Sequence, residues 1–303
     1  MSRGRRPLRI AYPGEPGAFA EEAALAASPD ALPVPLPGFA DVFAAVGAGR
    51  APADEPGDGA LAAGVLPIEN VLGGTVRETY DLLLANRAVI VDEVVVPVSL
   101  CLAALPGQGL DGITRVYSHV QALAQASRFL GARPWTLLTT YNTAAAGRLL
   151  IESRERSAAA VLSPRAAQRL GLAVLARTIE DEPDDRTRFL VIARSPEAWP
   201  SPTPARPFRT TLVFGLPNVT GALAGALIGL AEAGLNLSKL ESRPLPGRAW
   251  EYVFWADLDG DASAPESAAA LEVLSARVSF LRVLGSYPRA AEPAAATTPA
   301  GSA

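Results

Sequence analysis

The sequence has very few of the residues that most often carry recognisable chemistry. One cysteine, Cys101, stands among 303 residues. No intramolecular disulfide can form, which fits a reducing compartment such as the cytoplasm. One histidine, His119, excludes a His-rich metal site and a His-based triad elsewhere. Long unbroken apolar runs are also missing. Ala88 to Leu105 is interrupted by Asp92, Glu93 and Pro97, so no membrane span is expected. The basic stretch Met1 to Arg9 lacks the apolar core of a signal peptide. Nor is there a basic excess: 27 Lys and Arg face 31 Asp and Glu, which gives no electrostatic footprint for nucleic acid. What the chain does have is 49% hydrophobic residues, enough to bury the core of one large domain or two ordinary ones.

The pattern alternates strand and helix. Leu8 to Tyr12 reads as a buried strand, followed by a Gly-containing turn and a helix from Phe19 to Ala27. The unit recurs as a strand from Gly64 to Ile68, a loop from Glu69 to Gly74 and a helix from Val76 to Leu84. It recurs again as a strand from Thr114 to Tyr117, an N-cap at Ser118 and a helix from Val120 to Leu130. Thr136 to Thr139 and the helix from Thr143 to Glu152 follow, then Ala158 to Leu162 and the helix from Pro164 to Leu170. Such alternation predicts a mostly parallel sheet covered by helices. Ala88 to Leu105 has no helix behind it and reads as a passage from one sheet to another, with Thr187 to Ala193 returning. Two crossings predict two lobes and a cleft. Ala51 to Gly59 reads as a surface loop, and Ser195 to Pro207, with five prolines, as a linker. Beyond it six segments in the order βαββαβ predict a ferredoxin-like module.

Helices that begin directly after strands present unpaired N–H groups and a positive dipole end. The candidates are Gly14 to Ala18, Asn70 to Thr75, Ser118 with His119, and Asn142 with Thr143. Together they suit a ligand with more than one carboxylate, although Ser118 and Thr143 also fit as ordinary caps. Gly14-Glu15-Pro16-Gly17 is not a dinucleotide fingerprint. At Asp184-Asp185-Arg186-Thr187-Arg188-Phe189, polar residues run straight into a strand. Period-two geometry puts Thr187 and Arg188 on opposite faces. Thr187 can offer a hydroxyl to a cleft while Arg188 supports it from behind or reaches round to a carboxylate. A β-branched residue and a solvated arginine at a strand start fit the same pattern.

Four motifs in order, Tyr12 to Phe19, Leu66 to Asn70, Tyr117 to Leu123 and Thr187-Arg188-Phe189, resemble the prephenate dehydratase family, which includes arogenate dehydratases. Gly221-Ala222-Leu223 and Glu241-Ser242-Arg243-Pro244 resemble the ACT domain of that family, and the resemblance runs from Leu8 to Tyr287. It implies a two-lobed, periplasmic-binding-protein-like α/β domain over 8–194 and an ACT domain over 208–288, on either side of the linker over 195–207; Arg289 to Ala303, rich in Pro, Ala and Thr and without periodicity, reads as a disordered tail over 289–303. The resemblance further implies decarboxylative dehydration of prephenate to phenylpyruvate without metal or organic cofactor. Thr187 is then the essential residue, polarising the leaving hydroxyl, and Arg188 anchors a carboxylate or orders Thr187. Substrate contacts are expected at Ala18, Glu69, Asn70, Thr75, Ser118, His119, Gln121, Thr143 and Phe189. L-Phenylalanine as feedback effector is expected at Asn218, Gly221, Ala222, Leu223, Glu241, Ser242, Arg243 and Pro244. Effector binding between subunits implies a homodimer or homotetramer. The sequence departs from the family pattern at Val71 and Ala20, where hydroxyl residues are usual, at Val120 and Thr220, where proline is, and at Asp185, where asparagine is common. Arogenate is the alternative substrate. A sensor of amino acids or carboxylates, without turnover, is the alternative of another class.

Overall fold

The computed structural model describes residues 7–51, 60–200, 206–245, 247–248 and 250–291. Most of the loop read over Ala51 to Gly59, residues 201–205 of the linker and 292–303 of the tail lie outside the described residues.

The first lobe contains β1 (Arg9–Pro13), α1 (Phe19–Ala27), β2 (Leu32–Leu36), α2 (Phe39–Ala48), β3 (Ala63–Asn70), the short β4 (Gly74–Thr75), α3 (Arg77–Ala85) and β5 (Val89–Pro97). The second contains β6 (Cys101–Ala104), β7 (Arg115–His119), α4 (Val120–Gln125), α5 (Ser127–Gly131), β8 (Thr136–Thr140), α6 (Thr143–Ser153), β9 (Ala158–Leu162), α7 (Pro164–Arg169) and β10 (Ala173–Arg177). Then β11 (Arg186–Ala193) returns to the first lobe, between β3 and β5. Both crossings required by the two-lobed reading are present.

The sheets are mixed rather than mostly parallel. In the first, with order β2-β1-β3-β11-β5, only β2-β1-β3 run parallel, and β11 pairs antiparallel with both neighbours. The second, β10-β6-β9-β7-β8, splits the same way. A strand that enters from the other lobe has no crossover helix to bring it back parallel, and antiparallel entry is what remains. The helix expected over Val120 to Leu130 is two helices, broken at Ala126. Asp181 on the returning segment explains the break: its carboxylate accepts from Arg128 N–H at 3.0 Å and from Ser127 Oγ at 2.6 Å, capping α5 as a new helix.

The third sheet holds β12 (Phe208–Gly215), β13 (Leu237–Pro244), β14 (Tyr252–Asp259) and β15 (Phe280–Pro288) in the order β13-β14-β12-β15, with α8 (Ala222–Glu232) and α9 (Pro265–Ser275) joining them. This is the antiparallel split βαβ arrangement. One face packs on α8 and α9 through Leu212, Phe214, Ala256 and Leu258. The other joins the first lobe: Val213, Val253, Trp255, Leu284 and Tyr287 share a buried cluster with Ile90, Leu190 and Ile192. Trp255 meets Tyr80 edge-on at 4.7 Å. The small domain is therefore welded to the sheet that carries β11. No helix among the described residues is long and apolar enough to cross a membrane.

Candidate active site

A cleft of about 460 Å³ lies between the lobes. Ala18, Asn70, Thr75, His119, Gln121, Thr143, Thr187 and Phe189 line it, together with Phe39, Gln125, Tyr141 and Asn142. Among the described residues its wall includes no Lys, Arg, Asp or Glu. An anionic ligand must therefore be met by backbone and neutral side chains. The starts of α1 and α6 reach the cleft at Ala18–Phe19 and Asn142–Thr143. No side chain caps α1, which leaves its first N–H groups for a ligand. Asn142, not Thr143, caps α6, its Oδ1 accepting from Ala145 N–H at 2.7 Å.

Thr187 and Phe189 face the cleft from one side of β11, and Thr187 stands directly opposite Asn70 of β3. Asn70 is 5% exposed and fully engaged. Its Oδ1 accepts from the N–H groups of Leu72 and Gly73, at 3.1 and 2.5 Å, which fixes the amide's direction. Its Nδ2 donates to Asp185 Oδ1 at 2.7 Å and shares its other hydrogen between Thr187 Oγ1 at 3.0 Å and Arg186 O at 3.2 Å. Thr187 Oγ1 thus accepts from Asn70 and also lines the cleft, where its own O–H can serve as a donor.

His119 heads α4, and its Nδ1 accepts from Gln121 N–H at 3.3 Å. Burial pushes its pKa below the ordinary value, so the ring is neutral at pH 7. With Nδ1 accepting, the proton sits on Nε2. Asp185 lies behind the wall, 1% exposed, and burial raises its carboxyl above the ordinary range.

Several expected contacts lie elsewhere. Arg188 points out of the opposite face of β11. Its Nη1 is 2.8 Å from Asp257 and 3.3 Å from Glu93, and its Nη2 is 3.3 Å from Glu69. Burial alone would lower its pKa, but Asp257 and Glu93 outweigh it and hold the guanidinium charged. It does not reach a carboxylate in the cleft, because period-two alternation sends it to the small domain. Glu69 follows for the same reason on β3 and pairs with Arg188 and with Lys239, the only lysine in the chain. Ser118 is neither a cap nor a cleft residue: it ends on the buried face of β7 and donates to Val161 O at 2.6 Å. Thr75 borders the cleft, but its hydroxyl donates to Glu241 of β13 at 2.7 Å. The missing hydroxyl at Val71 costs the cleft nothing, because that side chain is exposed outside it, whereas Ala20 is part of the lining. Gln125 and Tyr141 escaped the sequence reading. Gln125 sits four residues after Gln121 on one helix face, a spacing that could have found it.

A second cavity, about 890 Å³, lies in the small domain and is lined by Asn218, Ala222, Leu223 and Ser242. Gly221 begins α8 with φ +83°, a conformation that favours glycine. Glu241 and Arg243 instead face the first lobe, where Arg243 donates to Arg77 O at 2.7 Å. Pro244, next to them at the end of β13, is exposed and outside the cavity lining.

The profile of the prephenate dehydratase family matches residues 10–197, and that of the ACT domain matches 210–276. Arogenate dehydratase 5, chloroplastic, of Arabidopsis thaliana is 40% identical, over 93% of this chain and 67% of the relative. Arogenate dehydratase/prephenate dehydratase 2, chloroplastic, of the same plant is 39% identical, over 95% and 74%. Among solved structures, the prephenate dehydratase of Arthrobacter aurescens in complex with L-Phe is 33% identical with a TM-score of 0.82, over 96% of this chain and 94% of that one. A protein described as a novel type of quorum quenching acylase is 35% identical with a TM-score of 0.81, over 93% and 98%. The chain belongs to the prephenate dehydratase family and carries an ACT domain behind its dehydratase domain.

Proposed function

We propose that the chain converts prephenate to phenylpyruvate in the cleft between its lobes, under control of L-phenylalanine bound to the small domain. The observation that carries this is the Asn70–Thr187 hydrogen bond at 3.0 Å, in which Thr187 accepts, so that its own O–H can serve the substrate as a donor. Prephenate has two carboxylates, one on the ring and one on the side chain, and a ring hydroxyl. The bond from the ring to its carboxylate breaks, carbon dioxide leaves, and the electron pair enters the ring. The hydroxyl departs from the far side of the ring with one proton, as water, and the ring becomes aromatic. Thr187 donates a hydrogen bond to that oxygen as charge develops on it. A threonine hydroxyl is a weak acid, so its part is polarisation, with the proton finally drawn from solvent. The open starts of α1 and α6 receive carboxylates, and Phe189 and Phe39 give the forming aromatic ring apolar walls. His119 offers Nε2–H as a second neutral donor. Arg188 and Glu69 are positioning residues that hold β11 and β3 from behind, not substrate ligands.

The same reading divides the chain into a dehydratase domain over 8–194, a linker over 195–207 and an ACT domain over 208–288. It places the protein in a reducing compartment, the cytoplasm, as a homodimer or homotetramer in which the effector cavity at Asn218, Ala222 and Leu223 lies near a subunit boundary. The fused core between the domains supports effector control, since motion of the small domain is felt by β11. The direct test is turnover of prephenate by the purified protein, followed as aromatic product with and without phenylalanine. Phenylpyruvate formed, and less of it with phenylalanine, is expected; no product from either prephenate or arogenate overturns the reading.

A further inference from the structure

We propose that Asp185 is a positioning residue for the reaction: it acts through Asn70 to hold the Thr187 hydroxyl in place, and it takes its second anchor from the other lobe, at Gln125. The proposal rests on the dehydratase reading above and deepens it. Asp185 ends the segment that returns from the second lobe, directly before β11, and is 1% exposed. Its backbone carbonyl accepts from Val98 N–H at 2.9 Å, where the outgoing chain crosses between the lobes. Its carboxylate accepts twice more. Asn70 Nδ2, from β3 of the first lobe, donates to Oδ1 at 2.7 Å, and Gln125 Nε2, from α4 of the second, donates to Oδ2 at 2.6 Å. Gln125, Asp185, Asn70 and Thr187 thus form one hydrogen-bonded chain that starts in the second lobe and ends at the hydroxyl.

The strengths along the chain decide which residue holds which. Hydrogen bonds to a carboxylate are roughly twice as strong as neutral ones, and both bonds to Asp185 are shorter than the 3.0 Å bond from Asn70 to Thr187. That last bond uses a hydrogen shared with Arg186 O at 3.2 Å, so alone it would let the Asn70 amide swing between two acceptors. The N–H groups of Leu72 and Gly73 settle which end of the amide is which, and Asp185 sets the plane in which Nδ2 meets Thr187. Burial raises the Asp185 carboxyl, and the Asn70 hydrogen bond opposes that rise. A carboxylate has an acceptor for both amides at once. Asparagine, which the family resemblance makes common at this position, has one oxygen. It can keep the bond from Asn70, and Gln125 can turn its amide over to meet the new NH₂. Alanine keeps neither bond.

The test is a double-mutant cycle read by steady-state kinetics on prephenate or arogenate, whichever the wild type turns over faster. It uses the full-length wild type, Asp185→Ala, Asp185→Asn, Thr187→Ala and the double variant Asp185→Ala/Thr187→Ala, with thermal melts on the same samples. In Asp185→Ala kcat is expected to fall about tenfold with KM little changed, and in Asp185→Asn to recover to within about threefold of wild type. Because Asp185 acts through Thr187, its effect should vanish once that hydroxyl is gone, leaving the double variant as fast as Thr187→Ala alone. Losses that multiply in the double variant, an unchanged kcat in Asp185→Ala, or no recovery in Asp185→Asn overturn the proposal and leave the dehydratase reading standing. If Thr187→Ala is too slow to follow, the loss in kcat alone and its recovery by asparagine decide. If Asp185→Ala does not fold, Gln125→Leu takes its place in the cycle: a kcat loss that vanishes in the Thr187→Ala background supports the proposal, and a loss that persists there, or no loss, overturns it. A wild type that turns over neither substrate overturns the dehydratase reading and this proposal with it.

Discussion

A threonine hydroxyl does chemistry only when its neighbours leave its proton free to be offered. At Thr187 the neighbour is Asn70, which donates to the oxygen and whose own direction is fixed by two backbone N–H groups at Oδ1. Thr187→Ser keeps the oxygen and its hydrogen bond, and its kcat should stay within about tenfold of wild type. Thr187→Ala removes the donor to the departing hydroxyl, and kcat should fall about 10²–10⁴-fold with a much smaller change in KM, as expected for an interaction made in the transition state. Steady-state rates on prephenate check both. Equal activity in the alanine variant would strip Thr187 of its role. The neighbouring residues show where sequence reasoning stops. Alternation along a strand put Thr187 and Arg188 on opposite faces, and the structure agrees. What alternation alone does not reveal is that a second domain waits on the far face, so Arg188 and Glu69 end in an interdomain ion cluster.

At the scale of elements, most strand–turn–helix units were legible because apolar runs of four to six residues bounded by glycine or a capping residue leave little choice. The helix Phe19–Ala27 and the strand Ala158–Leu162 match their expected bounds. β2 was not legible: Leu32–Leu36 contains two prolines, which usually argue against a strand, but it pairs only with β1 at the sheet's edge, where missing N–H donors are tolerated. The break between α4 and α5 was hidden because its cause, Asp181, lies far along the chain. Sheet-to-sheet contact is equally invisible in one dimension. Where β15 crosses β5, a Cβ on Gly285 would stand 2.1 Å from the Ile90 carbonyl oxygen, a backbone atom that cannot swing aside. Gly285→Ala should therefore push the small domain off the first lobe and cost on the order of 1–3 kcal/mol, the usual cost of overpacking. Chemical denaturation measures it. A loss below about 0.5 kcal/mol would mean that the two sheets slide freely.

The whole molecule behaves as one body wherever the cores are continuous. The cluster that spans Leu190, Ile90, Val213 and Tyr287 ties the small domain to the first lobe. Cys101 reports on the other lobe: it is fully buried on β6, and burial pushes its thiol up to about 11. A neutral, shielded thiol reacts slowly, so labelling with a thiol reagent at pH 8 should be absent in the native protein and appear only with opening of the second lobe. The last link runs between domains. On β13, Ser242 faces the small-domain cavity while its neighbour Glu241 turns to the first lobe and accepts the Thr75 hydroxyl at 2.7 Å. Two residues along, Lys239 pairs with Glu69 at 2.9 Å, and Glu69 with Arg188, next to Thr187. One strand thus touches the small-domain cavity on one side and the backing of β3 and β11 on the other. Coupling between sites is reciprocal: if phenylalanine weakens substrate binding by some factor, substrate weakens phenylalanine binding by the same factor, typically about 5–150-fold. Thr75→Val keeps the side-chain volume and deletes the hydrogen bond to Glu241. Calorimetric titration of phenylalanine, with and without a non-reacting substrate analogue, should give a clear ratio of affinities in the wild type. In Thr75→Val that ratio should fall toward one while phenylalanine alone still binds. A ratio equal to that of the wild type would place the coupling route away from β13.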